Sequence, residues 1–598
     1  MFVLEPHDVN LDQKEAILDP GNVLLIACPG SGKTRALTYK LAYELSILNS
    51  DKKYIIAITY THKAADEIKE RIELLGIDTS QLWIGTIHAF CTEWILRPYY
   101  IHLDELKHGF RIINAHETEE LLIDFCAPYI DKRITVFDCA HIFTSTGCQL
   151  TSSYVSKHTY VTEVLKTYWK HLKENHQVDF ELILYYSYKL ISDFGFIAKN
   201  LANIFTYILV DEFQDTREIQ YEILAAILRA SSGGVRTFIV GDPNQAIYTS
   251  LGGYPIKKDK LEMTTGYKFK ELSLSGNYRS SNIIINYFDY YKTYHNQIVG
   301  CGVLKDYPSI VSHNTDVSRN SLEDEIVRLI LYNINNKGIR PEEICIIAPQ
   351  WVHLAGLTRN LMVKLPDYSF NGPGMAPFAR DIDNFFYKLS RIILTEPSPN
   401  LYIRRLRWSS EVLHDLQHAG VNLLEIDRKK FLKICNSINI DQDQGIEYLK
   451  EFIQALFNEI GLEISSFQSL KEHYDSFFKA SEERIARLKK DGGEFISTTE
   501  NFRKVFKQHK GITISTIHGV KGGEYDTVIS FALLEGYVPH FADQDDDAAK
   551  KLLYVICSRA KKNLHLISER ERFNNRNPPQ EYGTTFRLAQ YLYDYQEI

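Results

Sequence analysis

At 598 residues, 44% of them hydrophobic, the chain has the length for about three to five domains, each with its own core. Its formal net charge of -8 excludes a global positive field as the means of drawing in nucleic acid, so any such binding must come from local grooves. Nine cysteines without a CxxC pair, no charged-then-apolar leader and no uninterrupted run of 18 apolar residues give the expectation of a reducing, cytoplasmic setting away from membranes.

The first predicted strand is the apolar run at 23 to 27. It leads into ACPGSGKT, residues 27 to 34, after which Leu37, Leu41, Leu45 and Leu48 recur at helical spacing. A turn of small residues lets successive backbone N–H groups converge on an anion, and the helix that follows points its positive end there. Ala27, Cys28, Pro29, Gly30, Ser31, Gly32, Lys33, Thr34 and Arg35 are the predicted nucleotide cradle. Lys33 reaches the outer phosphates and the Thr34 hydroxyl ligates Mg²⁺.

Further short, nearly continuous apolar runs follow at 54 to 59, 82 to 87, 207 to 210 and 237 to 241. Continuous rather than alternating apolar strands imply a parallel sheet covered on both faces, with ligands at the strand C-termini. Residues 89 to 203 change to longer helical segments and read as an insertion. The loose group Cys126, Cys139, His141 and Cys148 has irregular spacing and reads as structural rather than as a zinc site. LVDEFQDT, residues 209 to 216, sets two carboxylates at a strand end: Asp211 for Mg²⁺, and Glu212 to orient or deprotonate an attacking water. In GDPNQ, residues 241 to 245, Gln245 is placed to report a γ-phosphate.

A second α/β set is predicted at 272 to 278, 344 to 350, 512 to 519, 527 to 533 and 564 to 568, interrupted by a helix-rich stretch. The predicted organisation is a first core from 1–88 and 204–271 with insertion 89–203, and a second core from 272–378 and 500–598 with insertion 379–499. Arg404, Arg405 and Arg407 beside Trp408 interleave with apolar residues and read as one face of a helix in the second insertion.

Taken in order, the polar motifs resemble superfamily 1 helicases of the UvrD/Rep/PcrA type. LDQKEAI at 11 to 17, TYTHKAADEI at 59 to 68, GTIHAF at 85 to 90, VDEFQDT at 210 to 216, GDPNQAIY at 241 to 248, NYRSS at 277 to 281, STIHGVKGGEYDTV at 515 to 528 and YVICSRAKK at 554 to 562 carry the resemblance beside the phosphate loop. It implies two RecA-like parallel-sheet cores, each with a helix-rich insertion, that use ATP and Mg²⁺ to move 3′ to 5′ along single-stranded DNA and to open single/double-strand junctions. It implies that Gln13 reads adenine, Tyr278 stacks on it and Glu524 bonds the ribose, while Arg279 and Arg559 reach the γ-phosphate from the second core. The single-strand track it suggests runs over Tyr60, Thr61, His62, His88, Tyr248, Thr516 and His518, with stacking contributing about 1–3 kcal/mol per base.

Two departures qualify that expectation. Ser250 and Leu251 stand where the family has a base-stacking aromatic and an arginine. IGTIHAFCTEWILRPYY, residues 84 to 100, is similar to the GajB subunit of the Gabija anti-phage system. The alternative function is therefore a DNA-sensing regulatory ATPase working with a nuclease partner subunit. A transporter ATPase is excluded, because LSLSGN at 272 to 277 lacks that family's glycine pair.

Overall fold

The computed structural model describes residues 9–152, 154–249, 252–372, 377–378, 381, 384–423, 426–490, 494–506, 511–541, 543, 547–574 and 577–598. Ser250 and Leu251 lie outside the described residues. The chain divides into two compact units, one formed by Met1–Leu322 with Ile517–Ile598 and the other by Glu323–Thr516.

The first unit opens with helix α1 (Leu11–Leu18), where Asn10 and Gln13 cap each other reciprocally. Strand β1 (Val23–Ala27) follows, then helix α2 (Lys33–Ile47), β2 (Tyr54–Thr59), α3 (His62–Leu74) and β3 (Leu82–Thr86). A helix-rich stretch that includes α4 (His158–Glu174) and α5 (Phe180–Asp193) leads to β4 (Phe205–Asp211), β5 (Arg236–Gly241) and β6 (Lys270–Leu274). These six strands form one parallel sheet in the order β6-β1-β5-β4-β2-β3.

Every residue of β1 is buried, as a strand covered on both faces requires. The period of two sends Val23, Leu25 and Ala27 into one core with Ala36, Leu37 and Leu41 of α2, and Leu24 and Ile26 into another. That second core continues through Phe90, Leu96 and Phe205 into α4 and α5, so the helical stretch between β3 and β4 shares its interior with the sheet.

One expectation is corrected here. The run starting at Leu272 was expected to open the second strand set, yet β6 pairs with β1, Leu272 opposite Leu25. Its first four residues are exposed or half-buried, so it is an edge strand whose pattern does not reveal its partner.

Farther along come β7 (Val311–Asn314), β8 (Ile344–Ala348), β9 (Phe370–Asn371), β10 (Ile512–Thr516), β11 (Tyr525–Ser530) and β12 (Ala560–Ile567). The first unit holds the ladder β7–β12–β11 and the second unit holds β8–β10–β9, every pairing parallel. The mixed α/β class with two sets of parallel strands and helix-rich insertions is that of two RecA-like cores. In the second unit the helices have their own core, and helix α6 (Tyr402–His418) buries Arg405, Arg407 and Trp408. The guanidinium of Arg391 lies 5.3 Å over the Trp408 ring, so this basic cluster faces the helical core. No helix among the described residues is long and apolar enough to cross a membrane.

Candidate functional site

The sheet order brings the C-terminal ends of β1, β5 and β4 side by side, and the predicted chemistry sits on those three ends. After β1, Gly30 and Gly32 adopt positive φ angles of 69° and 76°, turning the chain into the start of α2. Ala36 N–H donates to Gly32 O at 2.9 Å, the first bond of the helix, so the preceding amides of its first turn point out of its N-terminus. The Ser31 hydroxyl is buried without a hydrogen-bond partner. A positive helix end, an unpaired buried hydroxyl and a glycine turn fit a phosphate chain.

The cradle is held from two sides. Gln13 donates to Ser31 O at 2.8 Å and accepts from Asn10 N at 3.1 Å, so one end of its amide holds the loop and the other is anchored at the start of α1. Asn277 donates to Pro29 O at 2.7 Å and Tyr278 N–H donates to Gly30 O at 2.9 Å. A Cβ on Gly30 would stand 2.5 Å from Arg279 Cβ, which leaves no room for any other residue there. Tyr278 remains exposed, its hydroxyl accepting from Asn10 at 2.8 Å. Among the remaining cradle residues, Ala27, Cys28 and Pro29 are buried and Arg35 is exposed.

Lys33 Nζ lies 3.1 Å from Asp211 Oδ1 and forms a second ion pair with Glu212. Burial disfavours the ammonium, but the two carboxylates outweigh it and raise its pKa above the ordinary lysine value. Burial likewise opposes the Glu212 carboxylate, yet Lys33 and Lys521 hold it down to about 2, while burial pushes Asp211 up. Glu212 sits in the left-handed region at φ 55°, a strained setting for a residue with a side chain. Gln214, fully buried, donates to Glu212 Oε2 at 2.6 Å and accepts from Asp242 N at 3.1 Å. Thr34 and Asp211 are the hard oxygen donors suited to Mg²⁺ beside the cradle.

Gln245 links this carboxylate group to the arginines. Its amide donates to Asp242 Oδ2 at 2.7 Å and accepts from Arg559 at 2.8 Å. Arg559 is 2% exposed, and burial together with the neighbouring Arg279 charge brings its guanidinium down to about 9. Arg279 donates to Glu524 Oε2 at 2.7 Å and to Ser558 O at 3.0 Å, so Glu524 is engaged by that arginine.

Of the predicted strand contacts, the structure groups three. Tyr60 and Tyr248 have ring centroids 5.0 Å apart, and Tyr248 and His518 5.2 Å apart. His518 bonds Ile247 O at 3.2 Å through its ring nitrogen. Thr61 caps α3 by accepting from Ala64 N at 3.2 Å, and His62 is the first residue of that helix. His88 packs edge-on to Phe180 with centroids 5.7 Å apart, and burial, with the charges of Arg217 and His62, lowers its pKa to about 4. Thr516 ends β10 in the other unit. Lys521, absent from the predicted set, ion-pairs with Asp215, donates to Gln245 O at 2.8 Å and stands 5.2 Å over the Tyr248 ring. It thereby joins the carboxylate site to the aromatic group.

The profile of the UvrD/REP helicase N-terminal domain matches residues 9–256, and that of the UvrD-like helicase C-terminal domain matches residues 463–571. Together they span more than half of the chain. It belongs to the UvrD/Rep/PcrA family of superfamily 1 helicases. Similar relatives include "ATP-dependent DNA helicase PcrA" of Staphylococcus aureus (strain MRSA252), 23% identical over 627 aligned positions that cover 93% of this chain and 83% of that protein. A "Probable DNA helicase II homolog" of Mycoplasma capricolum subsp. capricolum is 23% identical with 93% and 84% covered. "ATP-dependent DNA helicase SRS2" of Saccharomyces cerevisiae is 28% identical over 299 residues, covering 44% of this chain and 25% of that protein. In this UvrD-like chain the residues that sequence reasoning left out of the site, Gln214, Asp215, Asn277 and Lys521, all lie inside the family motifs. Motif membership was their only signal in the sequence.

Proposed function

We propose that this chain is an ATP-dependent DNA helicase that moves 3′ to 5′ on single-stranded DNA and separates strands at a single/double-strand junction. The observation that carries the reading is the link from Lys33, Asp211 and Glu212 through Gln214, Asp242 and Gln245 to Arg559, and through Lys521 to the Tyr60–Tyr248–His518 group. ATP is held by residues 27–35, with Gln13 and Tyr278 on the base side and Glu524 on the ribose. Thr34 and Asp211 would hold Mg²⁺, which would supply neutralising charge for the phosphates. Glu212, kept anionic at neutral pH, orients the attacking water and takes up its proton. Arg279 and Arg559 stabilise the charge that develops on the transferred group. Tyr60, Thr61, His62, His88, Tyr248, Thr516 and His518 carry the strand, and the four-part organisation, with β6 assigned to the first core, is the corresponding domain scheme.

Steady-state ATPase with and without single-stranded DNA, and unwinding of 3′-tailed against 5′-tailed duplexes, test this reading. DNA should stimulate hydrolysis and only the 3′-tailed duplex should open; Lys33→Ala should hydrolyse no ATP. Absence of DNA stimulation rejects the function, and opening of 5′-tailed duplexes alone rejects the polarity.

The TSLGG sequence at 249 to 253 supports a second reading, a DNA-sensing ATPase that works with a nuclease subunit and unwinds poorly. A missing stacking platform removes about 1–3 kcal/mol of grip, comparable with the roughly 1.4 kcal/mol per base-pair step needed to melt DNA. Ser250→Trp should then raise unwinding several-fold with little change in ATPase, and a lone monomer with strong unwinding counts against it.

A further inference from the structure

Helix α6 of the second unit ends on two histidines one turn apart, His414 and His418. Spacing of four residues puts both on one face, and both are exposed, while Val412, Leu413 and Leu416 of the same helix are buried. The rings converge rather than spread into solvent: their centroids are 4.3 Å apart and Nε2 of one lies 3.1 Å from Nε2 of the other. Such a pair shares a single proton between two ring nitrogens, so one Nε2 presents a lone pair to the other.

Three features turn that contact into a metal-binding geometry. Two nitrogens each about 2.0–2.1 Å from a common ion and separated by this distance subtend an angle of about 100° at the ion, between the square and tetrahedral values. His414 Nδ1 lies 3.8 Å from Asp415 Oδ1, and Asp415 Oδ2 is fixed by Lys388 Nζ at 2.7 Å. At that distance the carboxylate makes no hydrogen bond, but its charge favours a proton on Nδ1, the tautomer that leaves Nε2 free to ligate. His418 also occupies the last turn of a 17-residue helix, whose negative end favours a cation.

We propose that His414 and His418 form a binding site for a divalent ion of the imidazole-preferring class, Zn²⁺, Cu²⁺ or Ni²⁺, with water in the remaining positions. Binding uses the lone pair of both Nε2 atoms: His414 keeps its proton on Nδ1, and the proton between the two rings moves to Nδ1 of His418. Neither histidine belongs to the nucleotide or strand sites, so this proposal does not depend on them.

The test uses the full chain, stripped with chelator and held in Mg²⁺ buffer. Zn²⁺ is titrated by calorimetry, and Cu²⁺ is added for electron spin echo spectra, on the wild type, His414→Gln and His418→Gln. Expected is one site whose dissociation constant rises at least tenfold in each variant, with a two-imidazole Cu²⁺ signal falling to one or none. Both positions are exposed, so metal-free variants should melt with the wild type, and added Zn²⁺ should raise the melting temperature of the wild type alone. Zn²⁺ affinity unchanged in either variant, no Zn²⁺ site in the wild type, or a Cu²⁺ signal without two imidazoles overturns the proposal.

Discussion

Changing Lys521 to Met keeps most of the stem and removes the charge at the junction between the carboxylates and the aromatic group. Lys521 is 8% exposed and its partner Asp215 has a side chain at 0%, with Oδ1 lacking any hydrogen-bond partner. The substitution therefore strands a buried carboxylate, which typically costs about 3–5 kcal/mol, far more than the roughly 1 kcal/mol of the lost contact with the Tyr248 ring. Burial already pushes the Asp215 pKa up to about 7 while Lys521 pulls the other way, so losing the lysine raises it further. Protonation then relieves part of the cost, and the penalty should be larger at pH 8 than at pH 6. For a unit of this size, that stability loss lowers the melting temperature by about 4–6 °C at pH 8. Asp215→Asn in the same chain should restore most of it, because no charge is left to strand. Thermal melting of the three variants at both pH values checks this. A shift under one degree at pH 8, a larger shift at pH 6, or no recovery in the double variant would refute the reasoning.

Arg559→Ala should lower the DNA-stimulated ATPase rate by about 10³–10⁵ while nucleotide-free strand affinity stays within about threefold; a rate loss below tenfold removes Arg559 from the reacting phosphate. Tyr248→Ala should weaken binding of single-stranded DNA by about 5- to 150-fold, the equivalent of one lost stack, measured by fluorescence anisotropy at fixed salt. Asp242 is raised by burial from the ordinary 3.8 to about 6. Its stabilising protonation is complete below pH 4 and lost as pH rises through 6, a contribution of about 3 kcal/mol. Melting temperature against pH for Asp242→Asn should therefore lack that fall between pH 4 and 6, and identical slopes would show that the carboxyl is not raised.

Much of the first sheet could be read directly. The runs at 23 to 27 and 54 to 59 coincide with β1 and β2 because strands buried on both faces leave a continuous apolar signature that no solvent-facing residue interrupts. β6 was misplaced for the converse reason: KELSL has exposed residues, and only its pairing with β1 identifies its sheet. Lys33, Asp211, Glu212 and Gln245 were legible because their chemistry is local to a loop or a strand end. The pairing of Lys521 with Asp215 and of Gln214 with Glu212 was not, since a buried polar group announces its type in sequence and never its partner. Nor does any local rule foretell that Gln13, expected to face a base, spends its amide on Asn10 and Ser31.

Gly30 has a wider meaning than its torsion angle. The Gly30 carbonyl accepts the Tyr278 amide and its missing side chain leaves its space to Arg279, so the glycine turn before α2 and the segment carrying Tyr278 and Arg279 are locked together at one residue. Any change of shape at Gly30 must also displace Arg279. Under the proposed roles of these two segments, how tightly fuel is held and when it is burned become a single evolvable trait, and a variant selected for one will be found altered in the other.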